Sequence, residues 1–330
     1  MGSQPRAIVV GGGVSGLSAG VRLLERGFEV EVLTRAPAAR STSAVAAAIW
    51  YPYKAGPVEA VAAWSRASYA EFARLARDPA SGVVMRSGVE LLPASERDSA
   101  WRSEVVGLRA ARGDELREGY DHGWVFDAPV IEMPIYLTWL ERRLRELGGR
   151  LEAGEVRDLS ALAPRAELVV NCVGLAAREL VGDRELVGVR GQIVRVAREP
   201  GTPERFLLDD YNPDGITYVV PRSRDLVLGG SAEEGREDLA PDPAESAAVV
   251  ARCAALEPAL ARAAVVSVGV GLRPFRPSVR VERESLGRAT LIHDYGHGGA
   301  GVTLSWGCAD EVARLAVEAF DGARALNGSL

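Results

Sequence analysis

The sequence predicts an α/β chain: a Rossmann-like nucleotide-binding domain with an antiparallel-sheet domain intercalated into it. Three observations lead there. A short apolar strand, residues 7–10, runs into Gly11-Gly12-Gly13-Val14-Ser15-Gly16 and then into an amphipathic helix, the strand–turn–helix start of a βαβ unit. Between residues 187 and 283, short apolar or alternating runs are separated by turn-forming stretches such as Asn212-Pro213-Asp214-Gly215, which is antiparallel patterning. Residues 293–303, His-Asp-Tyr-Gly-His-Gly-Gly-Ala-Gly-Val-Thr, set four glycines between an apolar strand and an apolar helix. Such a turn exposes backbone N–H groups at a positive helix end.

The bulk properties bound the function. At 330 residues, 47% hydrophobic and 25% charged, the chain reads as a soluble enzyme of two domains. A net charge of −6 without a basic block excludes a nucleic-acid footprint. Lys54 is the only lysine among 39 basic residues. Cys172, Cys253 and Cys308 are too scattered for metal-type spacing and fit small buried side chains in a reducing compartment. No apolar run is long enough to span a membrane. Met1–Arg6 lacks a signal-peptide layout and the Gly-Ser-Leu end lacks a peroxisomal address. A cytoplasmic protein without nucleic-acid or membrane partners is the expectation.

Along the chain, Leu17, Val21 and Leu24 recur at helical spacing up to Gly27, and residues 28–33 form the second strand. The glycines let the backbone approach a pyrophosphate at the helix N-terminus. The second strand ends in Thr34-Arg35, where an acid usually binds ribose; Glu31 falls too early. Arg35 either holds a phosphate, stacks on adenine or lies on the surface. Ser41, Thr42 and Ser43 precede Ala44-Val45-Ala46-Ala47-Ala48-Ile49-Trp50. Small residues and hydroxyls in series suit a planar ligand and its phosphates, or else a small-residue helix with a Ser/Thr cap.

Residues 58–76 read as a helix, 88–92 as a strand, and 98–113 as ambiguous. Pro134 opens a helix with Leu137, Leu140, Leu144 and Leu147 on one face, ended by Gly148-Gly149. Strands follow at 150–156 and 167–172, the second leading to Gly174. The inserted sheet has strands at 191–196, 216–220, 226–228 and 264–270, and a helix over 243–256 capped by Asp242. The acidic stretch 233–242 reads as a solvated loop. A last strand, 288–292, and a helix over 306–320 flank the glycine turn. The nucleotide domain is thus discontinuous, residues 1–53, 134–186 and 289–330, with the substrate domain at 54–133 and 187–288.

Seven stretches carry a family resemblance: Gly11–Gly16, Val45–Trp50, Val170-Asn171-Cys172-Val173-Gly174, Arg190-Gly191-Gln192, Thr217-Tyr218-Val219-Val220-Pro221, Gly271-Leu272-Arg273-Pro274, and His293–Ala309 with its Trp306-Gly307-Cys308-Ala309 ending. The chain resembles the FAD-dependent D-amino acid oxidase family over nearly its whole length. The resemblance implies oxidative deamination of D-amino acids by molecular oxygen, with hydride transfer to flavin N5, giving 2-oxo acid, ammonia and hydrogen peroxide. The chemistry agrees: removing a hydride from the α-carbon needs an electron sink that protein side chains do not supply. The implied contacts to non-covalent FAD are Gly11, Gly13, Val14, Ser15 and Gly16 at the pyrophosphate, and Thr34 and Arg35 at the adenosine. Ser41, Thr42, Ser43, Ala46, Ala47, Ala48 and Ile49 run along the ligand. Val156, Gly174 and Arg273 complete the set with Gly298, Gly299, Ala300, Gly301, Val302 and the Thr303 hydroxyl at the flavin.

For the substrate, Arg273 matches the family's carboxylate-binding arginine, a bidentate role suited to guanidinium. Arg276 and Arg280 read as exposed. Tyr218 matches the tyrosine that adds a second donor, and the Gly299 carbonyl the acceptor for the amine; no general base is implied. Tyr51, where one branch has glutamine, and Tyr53 line the pocket. Residues 209–215 correspond to an active-site lid, shorter than in some relatives, which should speed product exchange. Tyr51-Pro52-Tyr53 and Leu207-Leu208-Asp209 offer no second base for an acidic substrate. Neutral D-amino acids, and basic ones in addition, are therefore expected, with D-aspartate poor. Four glycines disfavour the helix that would make His293 and His297 a zinc pair, and an extended stretch turns Asp294 away from both; no metal is expected. His297 is either a polar contact to loop or flavin or a structural hydrogen bond, and His122 is structural or exposed. Cys308 on the exit helix reads as core rather than a covalent flavin link. The family is often dimeric, so a homodimer is a further expectation. Competing readings are a glycine or D-aspartate oxidase, an FAD-dependent D-amino acid dehydrogenase, an NAD-dependent dehydrogenase, and a non-catalytic flavin-binding protein.

Overall fold

A computed structural model describes residues 4–93, 101–102 and 105–327; part of the ambiguous 98–113 stretch and the last three residues lie outside these. The strands are β1 (Arg6–Val10), β2 (Glu29–Thr34), β3 (Val83–Leu92), β4 (Val106–Ala110), β5 (His122–Ile131), β6 (Arg150–Ala153), β7 (Leu168–Asn171), β8 (Val187–Ala197), β9 (Phe206–Asp209), β10 (Thr217–Pro221), β11 (Asp225–Gly229), β12 (Glu233–Glu234), β13 (Val265–Leu286) and β14 (Ala289–His297). The helices are α1 (Val14–Glu25), α2 (Thr42–Val45), α3 (Val58–Leu75), α4 (Met133–Glu146), α5 (Ala177–Leu180), α6 (Pro243–Leu256) and α7 (Gly301–Asn327).

One mixed sheet runs β4-β5-β3-β9-β10-β11-β8-β13-β14-β7-β1-β2-β6, with β12 on β8. The run β14-β7-β1-β2-β6 is parallel throughout, as crossover helices require. Those strands come from residues 1–53, 134–186 and 289–330; the others come from 54–133 and 187–288. Helices α1, α4 and α7 bury Leu17, Leu140 and Trp306 in one core with Val9, Val32 and Val170. The parallel strands carry near-continuous apolar runs because both faces are covered.

Several elements extend past their expected limits. β13 runs for 22 residues rather than ending at 270. Pro274 and Pro277 do not stop it, because they fall where the strand changes partner. It pairs with β8 up to Phe275 and with β14 at Phe275 and again from Arg280 onward, with an irregular register between; proline is tolerated at such breaks. β14 continues to His297, and α7 starts at Gly301 rather than 306. β6 stops at Ala153, short of Val156. The sequence reading missed β5 and β9; Pro129 within β5 and the shortness of β9 hid them.

Two polar expectations, those for Arg276 and Arg280, are corrected. The acidic stretch 233–242 is largely exposed, as expected of a solvated loop, but it also holds an arginine. Arg190 is fully buried and donates to Glu233 (3.1 Å), Glu245 (2.7 Å) and the Ala240 carbonyl (2.7 Å). Arg276 and Arg280 are half-buried and engaged: Arg276 pairs with Asp183 at 3.0 Å and with Glu185, and Arg280 donates to the Tyr295 hydroxyl at 2.6 Å. His122 heads β5, edge-on to Trp124. Asp242 caps α6 as expected, accepting from the Ala244 and Glu245 amides.

Candidate active site

A cleft of about 770 Å³ lies where the C-terminal ends of the parallel strands meet the inner face of the antiparallel sheet, the place where open α/β sheets bind ligands. At one end stands the turn before α1. Gly11 has φ +115°, and a β-carbon there would sit 2.4 Å from the Cys172 carbonyl oxygen. A β-carbon on Gly16 would lie 1.8 Å from the Gly11 carbonyl oxygen. Gly16 therefore serves helix–strand packing and does not line the cleft, whereas Gly11, Gly13, Val14 and Ser15 do. The Val14 amide donates to Ser43 Oγ at 3.1 Å, which leaves the Ser43 proton free to donate into the cleft. No side chain of Gly13 caps α1, so the helix start remains an anion site.

Thr34 lines the cleft, but its hydroxyl donates to the Ala36 carbonyl at 2.6 Å and packs against Gly12. Arg35 is exposed at the rim, joined by Arg40, which sequence reasoning did not single out. The helix reading of 41–50 holds only for α2. After it the chain is extended: the Trp50 amide donates to Pro129 O (2.8 Å), and the Ile131 amide to Ala48 O (2.7 Å). Ser41, Thr42, Ala46, Ala47, Ala48 and Ile49 thereby lie along the cleft wall. Val156 and Gly174 line it from loops.

At the other end the sheet is cleared for two large side chains. Arg273 stands on β13, and a β-carbon on Gly191 of the neighbouring β8 would meet its Nη1 at 2.2 Å. Tyr218 stands on β10, cross-strand from Gly229 of β11, where a β-carbon would meet its Cζ at 1.9 Å. Each side chain leans one strand inward over a glycine, so the hydroxyl and the guanidinium approach each other. Arg273 Nη1 donates to the Ser231 carbonyl at 2.8 Å. Burial raises the Tyr218 pKa despite the nearby Arg273 charge, so the phenol keeps its proton.

The glycine turn closes this end. Gly296 has φ +85°, which breaks the strand's alternation and brings His297 onto the Asp294 side; the expectation that Asp294 turns away from both histidines holds only for His293. His297 Nε2 lies 3.0 Å from Asp294 Oδ1, whereas His293 contacts Asn171 and Glu284. Asp294, His297 and Cys308 bring ligand-type atoms within 4.8 Å of one another; burial pushes the Cys308 thiol well up, which keeps it protonated. Gly298, Gly299, Gly301 and Val302 line the cleft. Ala300 does not: it is buried with Val61, Leu304 and Cys308. Thr303 borders the cleft, but its hydroxyl is engaged elsewhere. It donates to the Tyr51 carbonyl (3.0 Å) and accepts from the Tyr51 amide (3.1 Å), pinning the turn to the 46–51 segment.

Tyr51 and Tyr53 complete the wall. A β-carbon on Gly299 would meet Tyr53 Cδ1 at 2.7 Å, and the Tyr53 hydroxyl is buried with no hydrogen-bond partner among the described residues. The Tyr51 hydroxyl donates to Glu90 Oε1 at 2.9 Å, and Glu90 pairs with buried Arg102 at 3.0 Å. Of the two adjacent acids, Asp210 faces the cleft and Asp209 does not. Strand alternation puts Leu208 and Asp210 on one face; Asp209 points away and accepts from the Tyr120 hydroxyl. Glu90 within the apolar run Val89-Glu90-Leu91-Leu92 was the overlooked signal for the buried pair.

The FAD dependent oxidoreductase family model matches residues 6–315. The chain belongs to that family. The D-amino-acid oxidase of Rubrobacter xylanophilus is 54% identical over 94% of this chain and 95% of its own length. The human (Homo sapiens) D-aspartate oxidase is 35% identical over 97% of this chain and 96% of its own. Among solved structures, glycine oxidase from Geobacillus kaustophilus superposes with a TM-score of 0.79 at 21% identity, covering 94% of this chain and 95% of that one, a likeness of fold. As a family member this FAD-dependent oxidoreductase has a cleft that fits its cofactor: a glycine cradle a β-carbon would fill, an uncapped helix start and a glycine-lined far end.

Proposed function

We propose that the chain is a D-amino-acid oxidase, converting neutral D-amino acids, and basic ones in addition, to 2-oxo acid and ammonia with hydrogen peroxide as co-product. The observation that carries this reading is the convergence of Arg273 and Tyr218 over Gly191 and Gly229 in the cleft that also holds the Gly11–Ser15 turn. FAD, when bound, supplies the two-electron acceptor for the α-carbon hydride and passes the electrons to oxygen.

The protein's residues bind and aim. Gly13 and Ser15 face the pyrophosphate with backbone amides and Ser43 with its hydroxyl, while Gly11 and Val14, whose amides are taken by the Leu33 carbonyl and Ser43 Oγ, shape the turn. Gly298, Gly299, Gly301 and Val302 present main chain to the flavin, where the positive N-terminal end of α7 favours negative charge. Ala300 and the Thr303 hydroxyl act one step back, as core and latch. Arg273 takes the substrate carboxylate as a guanidinium fork, Tyr218 adds a neutral donor, and the Gly299 carbonyl accepts from the amine. Tyr51 and Tyr53 shape the side-chain pocket. Thr34, its proton committed, and Arg35 at the rim flank the adenosine. The buried Cys308 leaves FAD non-covalent. Residues 1–53, 134–186 and 289–330 form the FAD-binding domain, and 54–133 and 187–288 the substrate domain. No described helix is long and apolar enough to cross a membrane; a cytoplasmic location and a homodimer belong to the same proposal.

Purified protein should be yellow and should bleach anaerobically with a D-amino acid but not its L-enantiomer. Persistent colour with every D-amino acid would favour a binding protein. Peroxide release under air separates oxidase from dehydrogenase. With Asp210 and Glu90 near the pocket, D-aspartate should be poor; a specificity constant above that for D-valine would overturn the substrate class.

A further inference from the structure

Two acids stand on one side of the Arg273–Tyr218 pair along the sheet. From β3 to β13 the order is β3, β9, β10, β11, β8, β13. Glu90 lies on β3, Asp210 just past β9, Tyr218 on β10 and Arg273 on β13. Tyr218 and Arg273 lean toward each other over β11 and β8, so the acids stand beyond Tyr218, on the side away from Arg273. The Tyr51 hydroxyl donates to Glu90 at 2.9 Å, and the Asp210 charge acts on the same phenol. One phenol carries one proton and serves one carboxylate at a time. Glu90 has its own cation, Arg102, at 3.0 Å. Among the described residues the cation acting on Asp210 is Lys54, an exposed side chain whose Nζ sits 5.1 Å from the centroid of the cleft-lining Tyr53 ring. Burial pushes the Asp210 carboxyl upward, as expected of an acid short of donors.

We infer that Asp210 is a second recognition point in the cleft, a carboxylate that selects D-amino acids carrying a cationic side chain, with Tyr51 and the Glu90–Arg102 pair holding it in place. This rests on the D-amino-acid oxidase reading. The α-carboxylate engages Arg273 and Tyr218, and a long unbranched side chain then directs its ammonium or guanidinium along the sheet to Asp210, displacing Lys54.

D-Lysine and D-norleucine differ at the side-chain terminus by the ammonium, and they isolate this contact. In the holoenzyme, Asp210→Asn should lower the ratio of kcat/KM for D-lysine over D-norleucine about tenfold, the worth of one charge-assisted hydrogen bond. Lys54→Met removes the competing cation and should move the ratio upward. A binding measurement independent of turnover uses 6-aminohexanoate and hexanoate, read by the change in flavin absorbance. The wild type should favour the amino compound, and Asp210→Asn should abolish that preference. A ratio and a preference both unmoved in Asp210→Asn would overturn the inference alone, with D-norleucine still oxidised. No oxidation of either D-norleucine or D-lysine by the wild type would overturn the parent reading and this inference with it.

Discussion

At Gly191 a single β-carbon would occupy the place of the Arg273 guanidinium, 2.2 Å from Nη1. Gly191→Ala therefore tests placement without deleting charge. It should raise KM for D-amino acids by about a hundredfold, the scale of a displacement near one ångström, while the protein still binds FAD and stays yellow. Arg273→Ala removes both arms of the fork and should raise KM by roughly two to three orders of magnitude; an unchanged KM would show that another arginine holds the carboxylate. Sequence named Arg273 and Tyr218 through their motifs; Gly191 stood in a motif without its space-giving role, and Gly229 was not singled out. Gly191 and Gly229 sit on other strands, and register is what brings them opposite. Asp210 escaped for a related reason: two adjacent acids are equivalent on paper until strand alternation assigns each a face.

Among the elements, α7 and the 46–51 segment form a unit through Thr303. Thr303→Val leaves the Tyr51 amide and carbonyl without partners and should cost about 1–3 kcal/mol, seen as a lower Tm and weaker FAD retention, with Thr303→Ser restoring both. Glu90→Gln leaves Arg102 uncompensated in the core and should cost about 3–5 kcal/mol, measured by denaturant unfolding. The short connection between β9 and β10 should make product exchange fast. Stopped-flow reduction much faster than turnover would contradict that. Elements with strong periodicity, α1, α4 and α6, were legible from sequence because their caps and apolar faces are local. β13 was not, because its prolines read as an end; only the change of partner strand from β8 to β14 explains how pairing continues across them.

For the whole molecule, pH acts through buried groups. Burial lowers the His293 pKa below 6.5, so the unfolded chain binds its proton first as pH falls. The stability His293 contributes is complete above pH 6.5 and declines below it toward the folded pKa. His293→Gln should flatten the acid limb of a Tm profile below pH 6.5; an unchanged slope would locate the acid sensitivity elsewhere. The two-part architecture was legible because a βαβ start and turn-punctuated strands are different periodicities. That both parts share one sheet was not, since nothing local reports which edges join.

β13 has a mechanical consequence. Its first half is stitched to β8 and its second to β14, so the same strand is structural timber in both halves of the molecule. Among the described residues, a clam-like opening would have to bend a continuous sheet. Traffic into the cleft must then pass through the rim, by movement of the residues between β9 and β10 around Asp210 and Tyr211. Amide exchange should be fast there and slow along β13, and cross-linking the two halves should leave turnover intact.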